Sequence, residues 1–239
     1  MLPKIDVPTY ELKLVSQKKP IKFRPFLVKE QKLLMMAQEN SENDKDYLLN
    51  TVKQIINNCV LTELNVNDLP MFDIEYLFLN LRARSMGEVV KISYKCVNRV
   101  GEHQCGNVVN FDVNILNIKP IISKQHNNRV EINEKLGLLM RYPSLDILKE
   151  IDMNNEESVL RIIFSCIESI YDPETLYHTK DIEAKELEEF VDSLPTTVVE
   201  KIKMFFDTMP KIEHDIHFHC NKCNYEEDIK IEGLNSFFE

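Results

Sequence analysis

The residues of this chain whose types and spacing can do chemistry lie in two places: His219-Cys220-Asn221-Lys222-Cys223-Asn224 late in the sequence, and Cys96 with Cys105 far upstream. Two cysteines separated by two residues on a tight turn aim both thiolates at one ion, and a second pair alongside completes a tetrahedral Zn²⁺ site. Four of the six cysteines fit this arrangement, which predicts a structural zinc held by Cys96, Cys105, Cys220 and Cys223. Gly106 and Asn224, each directly after the second cysteine of its pair, suit a left-handed backbone. The first pair departs from the usual spacing: eight residues separate Cys96 from Cys105, so this tip is a wider loop or takes another ligand. His103, His217 and His219 are the imidazoles that could substitute. Reduced, metal-free cysteines are the plain alternative.

Other chemistry finds little support. Five dispersed glycines allow no Gly-rich phosphate loop, and neither a nucleophile elbow nor a His-Glu-x-x-His motif occurs. A catalytic zinc needs three protein ligands and an open position, whereas four thiolates close the ion's coordination. His214 and His217 are expected on strand faces with no acid or nucleophile beside them. A redox Cys-x-x-Cys belongs at a helix N-terminus, but the residues after Cys223 read as a strand. Cys59 and Cys166 lie on apolar helical faces and are expected as buried core thiols. The chain is therefore expected to be no enzyme, with no small-molecule substrate.

The elements that must position the cysteines are two hairpins. Val89–Tyr94 and Val108–Val113 alternate around the first pair, as do Ile212–Phe218 and Asp228–Ile231 around the second. Ahead of them, Pro8–Leu14 and Ile21–Phe26 read as a hairpin. Leu27–Asn40 reads as a helix with Leu33, Leu34 and Ala37 inward and Lys29, Glu30 and Lys32 outward. Asp46–Val60 is a second helix, and a third begins after Asn67-Asp68-Leu69-Pro70 and stops at Gly87. Arg82 and Arg84 close that helix, complementing its dipole or meeting a partner's carboxylate. Further on, Arg129–Ile132 and Leu136–Tyr142 read as strands. Pro143–Ile151 and Glu156–Ser169 read as helices, and Tyr171–Glu174 as a turn. Asp181 is expected to cap a helix with an acidic outer face, and Thr197 with Glu200 to form a capping box for the last helix.

The fold class expected is α+β: a mainly helical body with short antiparallel hairpins and a split zinc-ribbon-like module. Its parts are 1–86 (N-terminal hairpin plus helices), 87–118 (first ribbon hairpin), 119–211 (strand pair and helical region) and 212–239 (second ribbon hairpin and tail), forming one compact unit with the ribbon halves paired. A formal charge of -10 and a pI near 5.2 disfavour nucleic acid as a partner. No secretory leader and no long apolar run are visible, so neither a membrane span nor export is expected, and the cytosol is the expected place of synthesis. Phe23-Arg24-Pro25-Phe26 presents aromatic and Arg anchors of the kind enriched at interfaces. Phe237 and Phe238 either dock on the chain's own core or plug into a neighbour.

Ile21–Glu30, Phe205-Phe206-Asp207-Thr208-Met209-Pro210-Lys211-Ile212 and the run from Gly233-Leu234 to Phe237-Phe238 resemble the baseplate proteins of T4-like contractile-tailed phages. Within that group the chain is most similar to the baseplate hub subunit family, over essentially its whole length. The resemblance implies a virus-encoded structural component of the tail baseplate. Its implied partners are other baseplate and hub proteins, met in the host cytoplasm during assembly and in the virion afterwards. An assembly chaperone that leaves before maturation, and more remotely a zinc-dependent enzyme, are the competing expectations.

Overall fold

Alternation in Tyr10-Glu11-Leu12 and Ile21-Lys22-Phe23 yields the first hairpin, β1 (Tyr10–Leu12) against β2 (Ile21–Phe23), with Tyr10 opposite Phe23. The computed structural model describes residues 5–40, 45–149 and 156–233. The chain divides into two compact units, Met1–Val66 with Phe72–Ile121 and Ile212–Glu239, and Asn67–Met71 with Ile122–Lys211.

In the first unit, three helices follow the hairpin: α1 (Val28–Asn40), α2 (Lys45–Cys59) and α3 (Met71–Met86). α2 buries Leu48, Val52, Ile55, Ile56 and Cys59, and α3 buries Phe72, Ile74, Leu77, Phe78, Leu79 and Leu81. Each such side chain stabilises the fold by roughly 1.5–3 kcal/mol, so this layer, and not the two short strands, carries the unit. The free side of β2 is closed by the chain leaving α2, through a Phe23–Val60 bridge and the Leu61 N–H on the Lys22 carbonyl at 2.8 Å. Asp73, fully buried on α3, accepts the N–H groups of Val15 and Ser16 at 2.9 and 2.8 Å and so pins the turn after β1. Gly87 ends α3 at φ 108, its N–H on the Ala83 carbonyl at 3.2 Å, a conformation that favours glycine.

Glu30 corrects the reading of α1. It was expected outward, yet it is fully buried. Its carboxylate receives both terminal nitrogens of Arg24, at 3.2 and 3.4 Å, and the Leu27 N–H at 2.9 Å. Periodicity places a glutamate on the polar face, but a guanidinium six residues earlier makes its burial tolerable.

The first cysteine-bearing hairpin follows, β3 (Val89–Lys95) paired with β6 (Val108–Asn114) from Val89↔Asn114 to Lys95↔Val108. Between them a two-strand excursion, β4 (Arg99–Val100) and β5 (His103–Gln104), turns through Gly101.

The second unit holds β7 (Arg129–Glu131), β8 (Gly137–Met140), α4 (Leu145–Lys149), α5 (Glu156–Cys166), β9 (Ile167–Tyr171), β10 (Leu176–His178), α6 (Ala184–Asp192) and α7 (Thr196–Asp207). Its four strands form one antiparallel sheet in the order β10-β9-β8-β7. Leu138, Cys166, Ile167, Ile202 and Phe205 are central to its core. Three expectations are corrected here. The helix expected to run to Ser169 stops at Cys166, and Ile167–Tyr171 pairs with β8 instead, because β-branched Ile167 and Ile170 serve a strand as well as a helix. α6 begins after Glu183 and not at Asp181, which lies in a preceding 3₁₀ turn. α7 has Pro195 at its N-cap with no side-chain cap, so Thr197 lies inside the helix and forms no capping box.

The second cysteine-bearing hairpin comes last, β11 (Glu213–His219) on β12 (Glu226–Glu232), in register from Glu213↔Glu232 to His219↔Glu226. Among the described residues no helix is long and apolar enough to cross a membrane.

Candidate metal centre

Both hairpin tips are built on the same backbone pattern. In the second, the Cys220 N–H donates to the Tyr225 carbonyl at 2.9 Å and the Asn224 N–H returns to the Cys220 carbonyl at 2.8 Å. In the first, the Cys96 N–H donates to the Asn107 carbonyl at 2.7 Å and the Gly106 N–H returns to the Cys96 carbonyl at 3.2 Å. Gly106 and Asn224 adopt φ 61 and 55, the left-handed turn that brings the second cysteine back beside the first. The eight residues between Cys96 and Cys105 do not spoil this. The β4–β5 excursion closes on itself, and the Cys105 N–H reaches the Asn98 carbonyl at 2.8 Å.

The four sulfurs of Cys96, Cys105, Cys220 and Cys223 lie within 4.8 Å of one another. Two of these approaches run between hairpins, Cys96 to Cys223 at 3.7 Å and Cys105 to Cys220 at 3.8 Å. These are free cysteines, far beyond the S–S bond length of about 2.05 Å. Four thiolates at about 2.3 Å from one zinc would stand about 3.8 Å apart at the corners of a tetrahedron. The cluster therefore has the ligand type, number and spacing to hold a metal ion. His103, His217 and His219 are not part of it. His217 Nδ1 sits 2.9 Å from Asp228 and His219 Nδ1 3.1 Å from Glu226, on the exposed faces of the second hairpin.

Two asparagines that sequence reading missed complete the surroundings. The Asn98 side-chain amide donates to Cys223 Sγ, and that of Asn107 to Cys220 Sγ, each at 3.5 Å. Their signal was the Cys-x-Asn repeat, Cys96-Val97-Asn98 and Cys105-Gly106-Asn107. Burial opposes ionisation of Cys220, but the N–H groups of Cys223 and Lys222 and the Asn107 amide outweigh it and bring the thiol down to about 6. The Asn98 hydrogen bond lowers Cys223. Desolvation pushes Cys96 up to about 12. Around the sulfurs lies a small apolar cluster with Phe218 fully buried and the Tyr94 ring against it at 5.0 Å, edge to face.

The residues expected to anchor a partner have definite places. Phe23 is buried, 2% exposed, and Arg24 is closed on Glu30 and the Asn58 carbonyl. Phe26 is half-buried, its ring 5.8 Å from that of Phe78. Phe237 and Phe238 lie outside the described residues.

No solved structure matches the chain. Over 222 residues it is 26% identical to the baseplate hub assembly protein gp26 of Enterobacteria phage T4, covering 92% of this chain and 93% of that protein. A family described as T4 bacteriophage base plate protein matches residues 7–239. With nearly the whole sequence inside that match, the chain belongs to the T4 bacteriophage base plate protein family.

Proposed function

We propose that this chain is a non-enzymatic component of the phage tail baseplate hub, acting through protein–protein contacts during baseplate assembly. The observation that carries this reading is the family match over residues 7–239, and the T4 relative's name supports the hub as the place. On this reading the chain meets other baseplate and hub proteins in the host cytoplasm and stays with them in the virion, without nucleic acid, membrane or small-molecule substrate. At the N-terminal hairpin, Phe26 would meet the partner beside exposed Leu27 and Val28, while Phe23 and Arg24 serve the fold. Phe237 and Phe238 remain proposed contacts. A phage lacking the chain should accumulate incomplete baseplates; complete baseplates in its absence would overturn the reading.

The four cysteines are proposed to hold one structural Zn²⁺, making residues 87–118 and 212–239 two halves of one ribbon. Their spacing supports this, and four thiolates would leave the ion no open position for catalysis. The ribbon's own core is small, so metal binding would supply folding free energy that burial does not. Elemental analysis should find one zinc per chain, lost in Cys220→Ser with a fall in thermal stability. Protein purified reduced and free of zinc would rule the site out.

One observation favours a second reading. The relative is named an assembly protein, which fits a factor that leaves before the tail matures. Mass spectrometry of purified virions separates the two, since only a resident component will be detected.

A further inference from the structure

The edge of the sheet in the second unit combines free backbone with an apolar groove. The Asp172 N–H donates to the Thr175 carbonyl at 3.0 Å, which marks a hydrogen-bonded pair. Antiparallel ladders alternate, so Tyr177 exchanges its bonds with Ile170, and the N–H and C=O of Leu176 and the N–H of His178 face away from β9, while the His178 carbonyl, at the N-cap of the 3₁₀ turn Thr179–Asp181, belongs to that turn. β10 ends the sheet order, and all three of its residues are exposed. The opposite edge is guarded differently: Lys201 Nζ bonds the Glu131 carbonyl of β7 at 2.7 Å. β10 carries no lysine or proline, and its three-residue length is the edge-blunting device it does have.

Beside β10 lies a groove of about 280 Å³ lined by Leu136, Ile170, Tyr177, Ile182, Leu187 and Phe190. The side chains of Ile170 and Tyr177 share a face as a cross-strand pair, and the other wall comes from α6 and the residues before it. Asp172 and Glu186 stand at the rim, and exposed Glu183, Glu188, Glu189 and Asp192 continue the acidic face along α6, against Lys185 as the one basic residue of that helix.

We propose that β10 and this groove dock an extended segment of a partner protein, added as a fifth strand, with alternate apolar side chains in the groove and lysine or arginine flanks on the acidic rim. Free edge groups supply the main-chain bonds, the groove selects apolar residues, and the rim selects positive charge. A second copy of this chain is disfavoured, because it would bring an identical acidic rim against the first. The inference is independent of the baseplate reading, since its test needs no phage.

The test uses the full chain and two fluorescein-labelled, capped probes, Lys-Thr-Val-Ile-Val-Thr-Lys and Glu-Thr-Val-Ile-Val-Thr-Glu, followed by anisotropy. The basic probe should bind and the acidic one should bind at least about threefold more weakly, a preference that shrinks with added salt. His178 has φ -77, so His178→Pro fits the backbone while deleting an outward N–H, and His178→Ala removes the same side chain but keeps the donor. Binding should fall about tenfold in His178→Pro relative to His178→Ala. Glu186→Lys, on an exposed position, should weaken the basic probe about threefold and provides a readout even if His178→Pro does not fold. No binding of the basic probe, equal binding of both probes, equal affinity of folded His178→Pro and His178→Ala, or indifference to Glu186→Lys would each overturn the proposal.

Discussion

The side-chain amide of Asn107 lies 3.5 Å from Cys220 Sγ, so a residue of the first hairpin holds a sulfur of the second. Asn98 does the same for Cys223. If the cluster holds zinc, these amides orient the thiolates without touching the ion. Asn98→Ala and Asn107→Ala should each retain zinc but bind it roughly 10–100-fold more weakly, measured by competition with a chromogenic chelator. Unchanged affinity in both variants would show that the asparagines only close the turns.

Arg24 and Glu30 form a buried pair, 14% and 0% exposed at their side chains. Arg24→Ala leaves the carboxylate with only the Leu27 N–H and the exposed Lys29 ammonium, 3.4 Å away, and should cost up to about 3–5 kcal/mol, while a double change to apolar residues of similar volume should cost far less. Burial tends to raise the Glu30 carboxyl, but the Arg24 and Leu27 hydrogen bonds prevail and hold it below its ordinary value. A carboxylate lowered on folding stabilises above its unfolded value and loses that contribution as pH falls through the folded one. Urea denaturation should therefore show the gap between wild type and Glu30→Gln closing below about pH 4.

His126 is held between two hydroxyls, with Nδ1 3.0 Å from Thr208 Oγ1 and Nε2 2.9 Å from Tyr142 Oη. Thr208 already donates its proton to the Met204 carbonyl at 2.7 Å. It must therefore accept from Nδ1–H, which leaves Nε2 to accept from Tyr142. Burial lowers the imidazole's affinity for a second proton. The unfolded chain takes that proton near pH 6.5 while the folded one resists, so stability is fully present above that pH and declines below it by up to about 1.4 kcal/mol per pH unit. In His126→Phe this slope between about pH 6.5 and 5 should vanish from thermal denaturation curves.

Asp73 serves two backbone donors at once. Asp73→Ala strands both and should cost about 2–4 kcal/mol, with Asp73→Asn, which keeps one accepting oxygen, in between. Hydrogen exchange at Val15 and Ser16 gives the local readout: their amides should lose protection in Asp73→Ala before the helices do.

The hairpins and their cysteine tips were legible because two independent constraints coincided there, strict alternation in the strands and a residue tolerant of positive φ after each pair. The four-stranded sheet was not. Ile163, Ile167 and Ile170 keep the i, i+4, i+7 spacing of a helix, Ile167 and Ile170 have opposite strand parity, and the deciding fact is pairing with Met140 and Leu138 of β8, which no local pattern carries. Leu176–His178 is too short to announce itself. At the site, the four sulfurs were legible from spacing, while the asparagines act on sulfurs 125 and 113 residues away and show only as a repeat whose meaning needs the fold. Glu30 was misread because outward polarity is the rule for helices and its exception depends on one particular arginine.

All of the second unit except Asn67–Met71 falls in the sequence between the two cysteine hairpins of the first. Cys105 and Cys220, neighbours in space, are 115 residues apart in the chain. During synthesis at about 5–20 residues per second, the first tip waits on the order of 6–23 s before its counterpart emerges. Throughout that interval the sheet and helices of the second unit can form while Cys96 and Cys105 lack Cys220 and Cys223. Closure of the cluster thus comes late, and a chain cut short anywhere before Cys220 keeps an open seam, whatever else has folded.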